Sequence, residues 1–225
     1  MKLKNFFLDL LFPKFCFGCK KEGAFLCEDC LSTIELFRKH QRFKNQFLDD
    51  LFIATIYKNF IVKRLILALK YEPFVREIGK DLANIIKFHF QSLDKRPNFS
   101  EFILIPVPLS KKRLKWRGFN QTEEIGKEIS KFFKIPLEND CLIKIKETLP
   151  QVELPEKERR RNQKGVFIVK NKRKVEGKKF LVLDDVFTTG ATLTEIAKVL
   201  KENGAKKVFG VAVAVAKVGE DKFEF

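Results

Sequence analysis

The stretch KFLVLDDVFTTGATLTE, residues 179–195, constrains the fold more tightly than any other part of the chain. Phe180 to Leu183 form an uninterrupted apolar run, and a strand without a polar face must be covered on both sides. Two aspartates, Asp184 and Asp185, end the run. A hydroxyl-rich turn follows, Thr188-Thr189-Gly190-Ala191-Thr192. Leu193, Ile196, Ala197 and Leu200 then recur at helical spacing until Gly204. A doubly buried strand that feeds straight into a helix is the building unit of a parallel α/β sheet.

The same alternation runs back through the chain. LFIATIY (51–57), FILIPV (102–107) and KVFGVAVAVA (207–216) read as strands, with CLIK (141–144) and GVFIV (165–169) as shorter ones. Apolar positions 62, 65, 66 and 69 mark a helix over 61–71, and positions 75, 78, 82, 85 and 86 mark another over 74–90. Asn120 and Glu123 fit a capping box opening a third helix, which runs to Phe133 with Ile125, Ile129, Phe132 and Phe133 on its inner face. The chain has 225 residues, 45% of them hydrophobic, enough for one medium α/β domain and a small appendage. The appendage is expected over 1–45 and the α/β domain over 46–225. His89 falls on an apolar helical face and reads as a core histidine, while His40 lies in a charged stretch without a motif.

The appendage has its own chemistry. In CFGCKKEGAFLCEDC, residues 16–30, Cys16 and Cys19 form one C-x-x-C pair and Cys27 and Cys30 a second. Each pair can turn two thiolates towards one point, and two pairs complete a tetrahedral S4 site for structural Zn2+. Gly18 and Gly23 suit tight knuckles. Two disulfides are the main alternative, and a redox-active C-x-x-C a lesser one. Too few apolar residues lie here for unaided folding, so metal binding is expected to supply the stability. The fifth cysteine, Cys141, sits in an apolar run and reads as a buried small hydrophobe. The N-terminal apolar run is broken by Asp9 and ended by Pro13, well short of the roughly 20 apolar residues needed to span a bilayer. It reads as a short amphipathic helix on a cytoplasmic protein without stable membrane insertion.

Charge and loop chemistry point to an anionic ligand. The formal net charge is +16, from 45 Lys+Arg against 29 Asp+Glu, which favours phosphorylated metabolites or nucleic acid. The Thr188–Thr192 turn joins a buried strand to a helix start, where free backbone N–H groups and the helix dipole attract a phosphate. No lysine follows Gly190, so this is not the G-x-x-x-x-G-K-[ST] loop. Asp184 and Asp185 would repel a phosphate if they faced it. They suit the vicinal hydroxyls of a ribose and a sugar carbon that gains positive charge as its leaving group departs. The plainer reading is two acids capping a strand end. A second cluster follows FILIPV: Val107, Pro108, Leu109, Ser110, Lys111, Lys112, Arg113 and Arg117 gather donors and positive charge at the carboxyl end of a strand, where α/β proteins bind ligands; an exposed basic turn is the plainer reading. The polar segment 147–164 carries Arg159, Arg160 and Arg161, and a long loop of this kind inside a compact domain is usually functional.

LVLDDVFTTGATL resembles the phosphoribosyl-pyrophosphate (PRPP) signature of type I phosphoribosyltransferases. ILIPVPLSKKRLKWRGFNQ (103–121), ETLPQVELPEKERRRNQKGVF (147–167), LKY (69–71) and the cysteine ribbon resemble the narrower ComF family, including ComFC. The resemblance covers nearly the whole chain. It implies a type I phosphoribosyltransferase fold, a central parallel sheet flanked by helices, with an N-terminal zinc ribbon. It implies that Asp184 and Asp185 hold the ribose as catalytic residues, Thr188, Thr189, Gly190, Ala191 and Thr192 the 5-phosphate, and Val107, Pro108, Leu109, Ser110, Lys111 and Arg113 the pyrophosphate. Arg159–Arg161 would then close as a flexible lid, and Mg2+ would accompany PRPP. Lys144 and Lys146 stand where related proteins more often carry arginine, which keeps the charge and loses the bidentate fork. Three functions follow: phosphoribosyl transfer to an unidentified acceptor; a competence module that handles single-stranded DNA and meets other DNA-uptake proteins, using the basic charge, Trp116 and Phe119; or a PRPP sensor without turnover.

Overall fold

A computed structural model describes residues 13–38, 42–43, 45–147, 164–216 and 223–224. The N-terminal run to residue 12, His40 and Arg159–Arg161 lie outside these described residues. Strands β1 (Asp50–Ile56), β2 (Phe102–Pro106), β5 (Lys179–Phe187) and β6 (Lys207–Val215) form a wholly parallel sheet in the order β1-β6-β5-β2. Strands β3 (Leu142–Lys144) and β4 (Phe167–Val169) pair antiparallel outside it.

Side-chain alternation divides the interior in two. Phe52, Leu104, Leu181 and Val213 face helices α2 (Phe60–Lys70), α3 (Ile78–Ser92) and α5 (Gln121–Phe133). Ile53, Ile105, Val182 and Ala212 face α6 (Ala191–Glu202) and the β3–β4 pair. Burial on both faces explains why the strands read as continuous apolar runs. Helix α3 starts at Ile78 rather than near residue 74, because Phe74 has a φ of +53° and the Val75 amide bonds back to the Ala68 carbonyl at 2.9 Å. Val75 therefore packs from a turn. His89 is buried and its Nδ1 lies 2.7 Å from the Phe37 carbonyl, as a core histidine should.

The cysteine segment docks on this body. Cys16, Leu26, Cys30 and Ile34 belong to the same apolar cluster as α2 and α3. Arg64 of α2 donates to the Phe17 carbonyl at 3.3 Å and covers the Phe17 ring at 5.2 Å. The short helix α1 (Glu28–Ser32) is capped by the Cys27 sulfur, which accepts from the Cys30 amide. Among the described residues no helix is long and apolar enough to cross a membrane.

Candidate functional site

The site forms where adjacent strands β2 and β5 end. Strand β5 continues through both aspartates to Phe187, so the acids belong to the sheet and not to the turn. Asp184 continues the face of Phe180 and Val182, and Asp185 that of Leu181 and Leu183. The two carboxylates thus point to opposite faces of the sheet.

Asp185 is 3% exposed and doubly held. Lys70 Nζ, at the end of α2, lies 2.7 Å from its Oδ1, and Gln121 Nε2, at the start of α5, donates to its Oδ2 at 3.0 Å. Gln121 Oε1 in turn accepts a short hydrogen bond from Arg117 Nη1. Burial pushes the Lys70 pKa down, but the Asp185 charge and hydrogen bond outweigh it and the net shift is upward. Burial also lowers the pKa of Arg117, whose Nε is buried without a partner among the described residues.

Asp184 lies on the opposite face, within electrostatic reach of both Lys70 and Lys144. Burial first, then the neighbouring Asp185 charge, pushes its pKa up to about 7. Burial, then Arg113, lowers that of Lys144 to about 8. Cations thus flank the acid pair from α2 (Lys70), β3 (Lys144) and the segment after β2 (Arg113 and Arg117). LKY resembles a family motif, but the sequence does not reveal that its lysine pairs with Asp185. The available signal is a lone lysine closing a helix whose other inward positions, Val62, Leu65, Ile66 and Leu69, are all apolar.

The two loops differ in construction. In Thr188–Thr192, Gly190 takes a left-handed φ of +79° and caps α6, so the helix opens without a side chain over its first turn from the cap residue. Thr189 is buried and its Oγ1 accepts from the Ala191 amide at 3.4 Å. In the loop after β2, the Val107 amide bonds to Leu183 and its carbonyl accepts from Asn120 and Thr122, which makes it the anchor. Ser110 caps the short helix α4 (Lys111–Arg117), and Lys111 and Lys112 are exposed. Pro108, Leu109 and Arg113 are partly exposed. Asn120 caps α5 as expected, whereas Glu123 pairs with Lys127 at 3.4 Å. Trp116 is 54% exposed, but Phe119 is 8% exposed and packs in the core, so it offers no stacking surface.

The cysteine cluster fits a metal. The four sulfurs of Cys16, Cys19, Cys27 and Cys30 lie within 4.8 Å of one another, and all are free thiols rather than disulfides. Cys19 and Cys27 sulfurs are 3.6 Å apart, close to the roughly 3.8 Å edge of a tetrahedron with Zn–S bonds of about 2.3 Å. The Cys27 amide donates to the Cys16 sulfur at 3.5 Å, a contact that favours thiolate. Cys141 is buried in the second core, away from this cluster.

Comparison with known proteins agrees with this architecture. Residues 125–224 match the phosphoribosyl transferase domain family. Competence protein F of Haemophilus influenzae is 37% identical over 114 residues, 49% of this chain and 50% of that protein. Competence protein ComFC of Bacillus subtilis is 33% identical over 128 residues, 55% of this chain and 49% of that protein. The chain thus spans about half the length of the curated relatives it matches. Among solved structures, a glutamine phosphoribosylpyrophosphate amidotransferase from B. subtilis is 19% identical, covering 61% of this chain and 25% of that one, with a TM-score of 0.37.

Proposed function

Because the chain belongs to the ComF family and has the type I phosphoribosyltransferase fold, we propose that it binds PRPP at the carboxyl edge of its sheet and transfers the ribosyl group to an acceptor. The observation that carries the reading is the glycine-capped turn Thr188–Thr192 opening α6 directly after a strand that ends in two carboxylates. The turn suits the 5-phosphate and the acids the ribose. The loop Val107–Arg113 supplies donors and charge for pyrophosphate, and Arg159–Arg161 are assigned to a lid that excludes water. Mg2+ would accompany the bound ligand and offset the charge of its pyrophosphate.

On this reading Cys16, Cys19, Cys27 and Cys30 hold a structural zinc within residues 1–45, and 46–225 is the phosphoribosyltransferase domain. The names of the relatives support a role in competence; we assign that role to DNA uptake and to the cytoplasm. Exposed Lys111, Lys112, Lys115 and Trp116 on α4 favour a second reading, contact with single-stranded DNA.

Calorimetry with PRPP and Mg2+ tests the first reading. Saturable binding that Asp185→Asn abolishes is expected; no binding, or binding indifferent to that change, rejects it. Binding without pyrophosphate release in any acceptor mixture leaves a PRPP sensor. For the DNA reading, affinity for an oligodeoxynucleotide should fall steeply with salt, and none at low salt rejects it.

A further inference from the structure

Helix α5 begins at Gln121, which holds Asp185, and ends at Phe133, 13 residues and about 20 Å further on. At that far end lies a cavity of about 260 Å3. Its walls come from the last turns of α3 and α5 and from the segment that leads into β2. Phe90, Phe99, Phe132 and Phe133 line it, with Arg96 and Asn98 among its polar members. None of these residues belongs to the acid pair or to the two loops beside it.

The floor is aromatic. Phe90 and Phe99 are buried, and Phe132 and Phe133 half-buried. The rings meet edge to face, Phe99 on Phe133 at 4.8 Å, Phe90 on Phe133 at 5.0 Å and Phe90 on Phe99 at 5.6 Å. Such contacts hold each ring in place, so the hollow is formed before a guest enters. The rim is polar and positive. Arg96, Asn98 and Ser100 are exposed there. Arg96 Nη2 donates to the Gln91 carbonyl at 2.9 Å, which ties the guanidinium to the mouth with four of its five N–H groups to spare. Among the described residues Arg96 pairs with no carboxylate. Helix ends repel anions through bare carbonyls, but several here are capped. Ser92 bonds the His89 carbonyl, and the Ile135 and Lys134 amides bond those of Ser130 and Lys131. Glu101 and Glu128 are already paired, with Lys179 and Lys131. Lys95, Arg96 and Lys134 then stand against Asp94 alone in the flanking segments.

We propose that this cavity binds the C-terminal aromatic residue of an acidic partner polypeptide. The ring enters among the phenylalanines, the α-carboxylate meets Arg96, and acidic residues upstream lie towards Lys95 and Lys134. The proposal does not depend on PRPP binding. Size selects the guest. An apolar cavity of about 150 Å3 takes up benzene, and sites for drug-sized ligands begin at about 300 Å3. A volume of 260 Å3 therefore admits one ring with its link to a chain and is too small for a nucleotide. Charge selects the rest. Arginine can grip a carboxylate through two parallel N–H groups, and a net charge of +16 draws acidic sequence. A chain end is favoured over an internal aromatic because one residue brings both ring and carboxylate. Only one flanking peptide group then has to be met at the rim, where Asn98 and Ser100 stand.

Fluorescence anisotropy on the full chain tests this, with the dye-labelled peptide Asp-Glu-Asp-Glu-Leu-Phe as probe. Saturable binding is expected. Changing the final Phe to Ala, or amidating the C-terminus, should each weaken it at least tenfold. Arg96→Gln should cause a similar loss and Arg96→Lys a smaller one. Arg96 is exposed, so both variants should melt like the wild type. Absence of saturable binding at low salt overturns the proposal. Equal affinity for the free and amidated peptides, or for the Phe and Ala peptides, also overturns it and leaves a contact of charge alone. So does equal binding by Arg96→Gln and wild type. Calorimetry with hydrocinnamate, a ring and carboxylate without a chain, supplies the remaining arm. Uptake of that acid without binding of the peptide overturns the polypeptide assignment and gives the cavity to a small aromatic acid.

Discussion

Lys70 Nζ and Asp185 Oδ1, 115 positions apart, meet at 2.7 Å in the interior beside the proposed ribose site. The contact joins the end of α2 to the end of β5, and Gln121 and Arg117 extend it to the loop after β2. One carboxylate thereby couples three elements, and the site's electrostatics follow from that coupling.

Removing the lysine should be costly. Lys70→Met leaves the Asp185 charge buried with Gln121 as its remaining close partner, and breaking such a pair from one side costs about 3 kcal/mol or more. Urea unfolding measures the loss. Adding Asp185→Asn to Lys70→Met should recover part of it, since the stranded charge is gone. Additive losses would show that the two side chains do not depend on each other.

Asp184 makes the protein pH-sensitive. Its carboxyl is raised from 3.8 to about 7 on folding, so the folded state binds the extra proton. Its contribution to stability is full below about 3.8 and is lost as pH rises through about 7. Asp184→Asn should flatten the decline between about pH 4 and 7 in thermal melts. PRPP binding through the ionised carboxylate should run the opposite way, strengthening by up to about tenfold from pH 6 to 8. Calorimetry of wild type against Asp184→Asn separates this from titration of the ligand's own phosphates, and matching pH profiles would remove Asp184 from ribose binding.

The cysteine cluster should contain one zinc per chain, measured by elemental analysis of protein prepared without chelator. Stripping the ion should lower the melting temperature, because Cys16 and Cys30 are continuous with the main apolar cluster. Gly18→Ala sets a Cβ 2.5 Å from the Cys30 sulfur and should weaken zinc retention. Cys141→Ser should leave zinc content unchanged. Zinc-free protein that melts like the native preparation would exclude a structural ion.

Gly190 is the sharpest test of the phosphate turn. Its φ of +79° suits glycine, so Gly190→Ala should cost about 1 kcal/mol or somewhat more in stability. The tilt of the first turn of α6 should also lower PRPP affinity at least tenfold by calorimetry. A stability loss with unchanged affinity would place the 5-phosphate elsewhere.

Much of this was local and therefore legible. Residues 179–204 carry a buried strand, a glycine turn and an amphipathic helix in one continuous stretch, and each reports its own conformation. Asn120 announced the start of α5 in the same way. Phe119 and Trp116 were not separable by eye: both are aromatics in one basic segment. Gly118, at φ +80°, ends α4 between them, and only the packing of the next helix sends Phe119 inward and leaves Trp116 out.

The sequence alone determined the parallel α/β plan, the S4 cluster and the presence of two acids before a phosphate-type turn, because periodicity, cysteine spacing and turn chemistry act over a few residues. Tertiary structure decided which face each acid takes, that Lys70 and Gln121 hold Asp185, and that Tyr57 comes within electrostatic reach of it. Those outcomes depend on the order β1-β6-β5-β2 and on helices docking across it. Buried charges find partners by proximity in space, and distance along the chain carries no record of that.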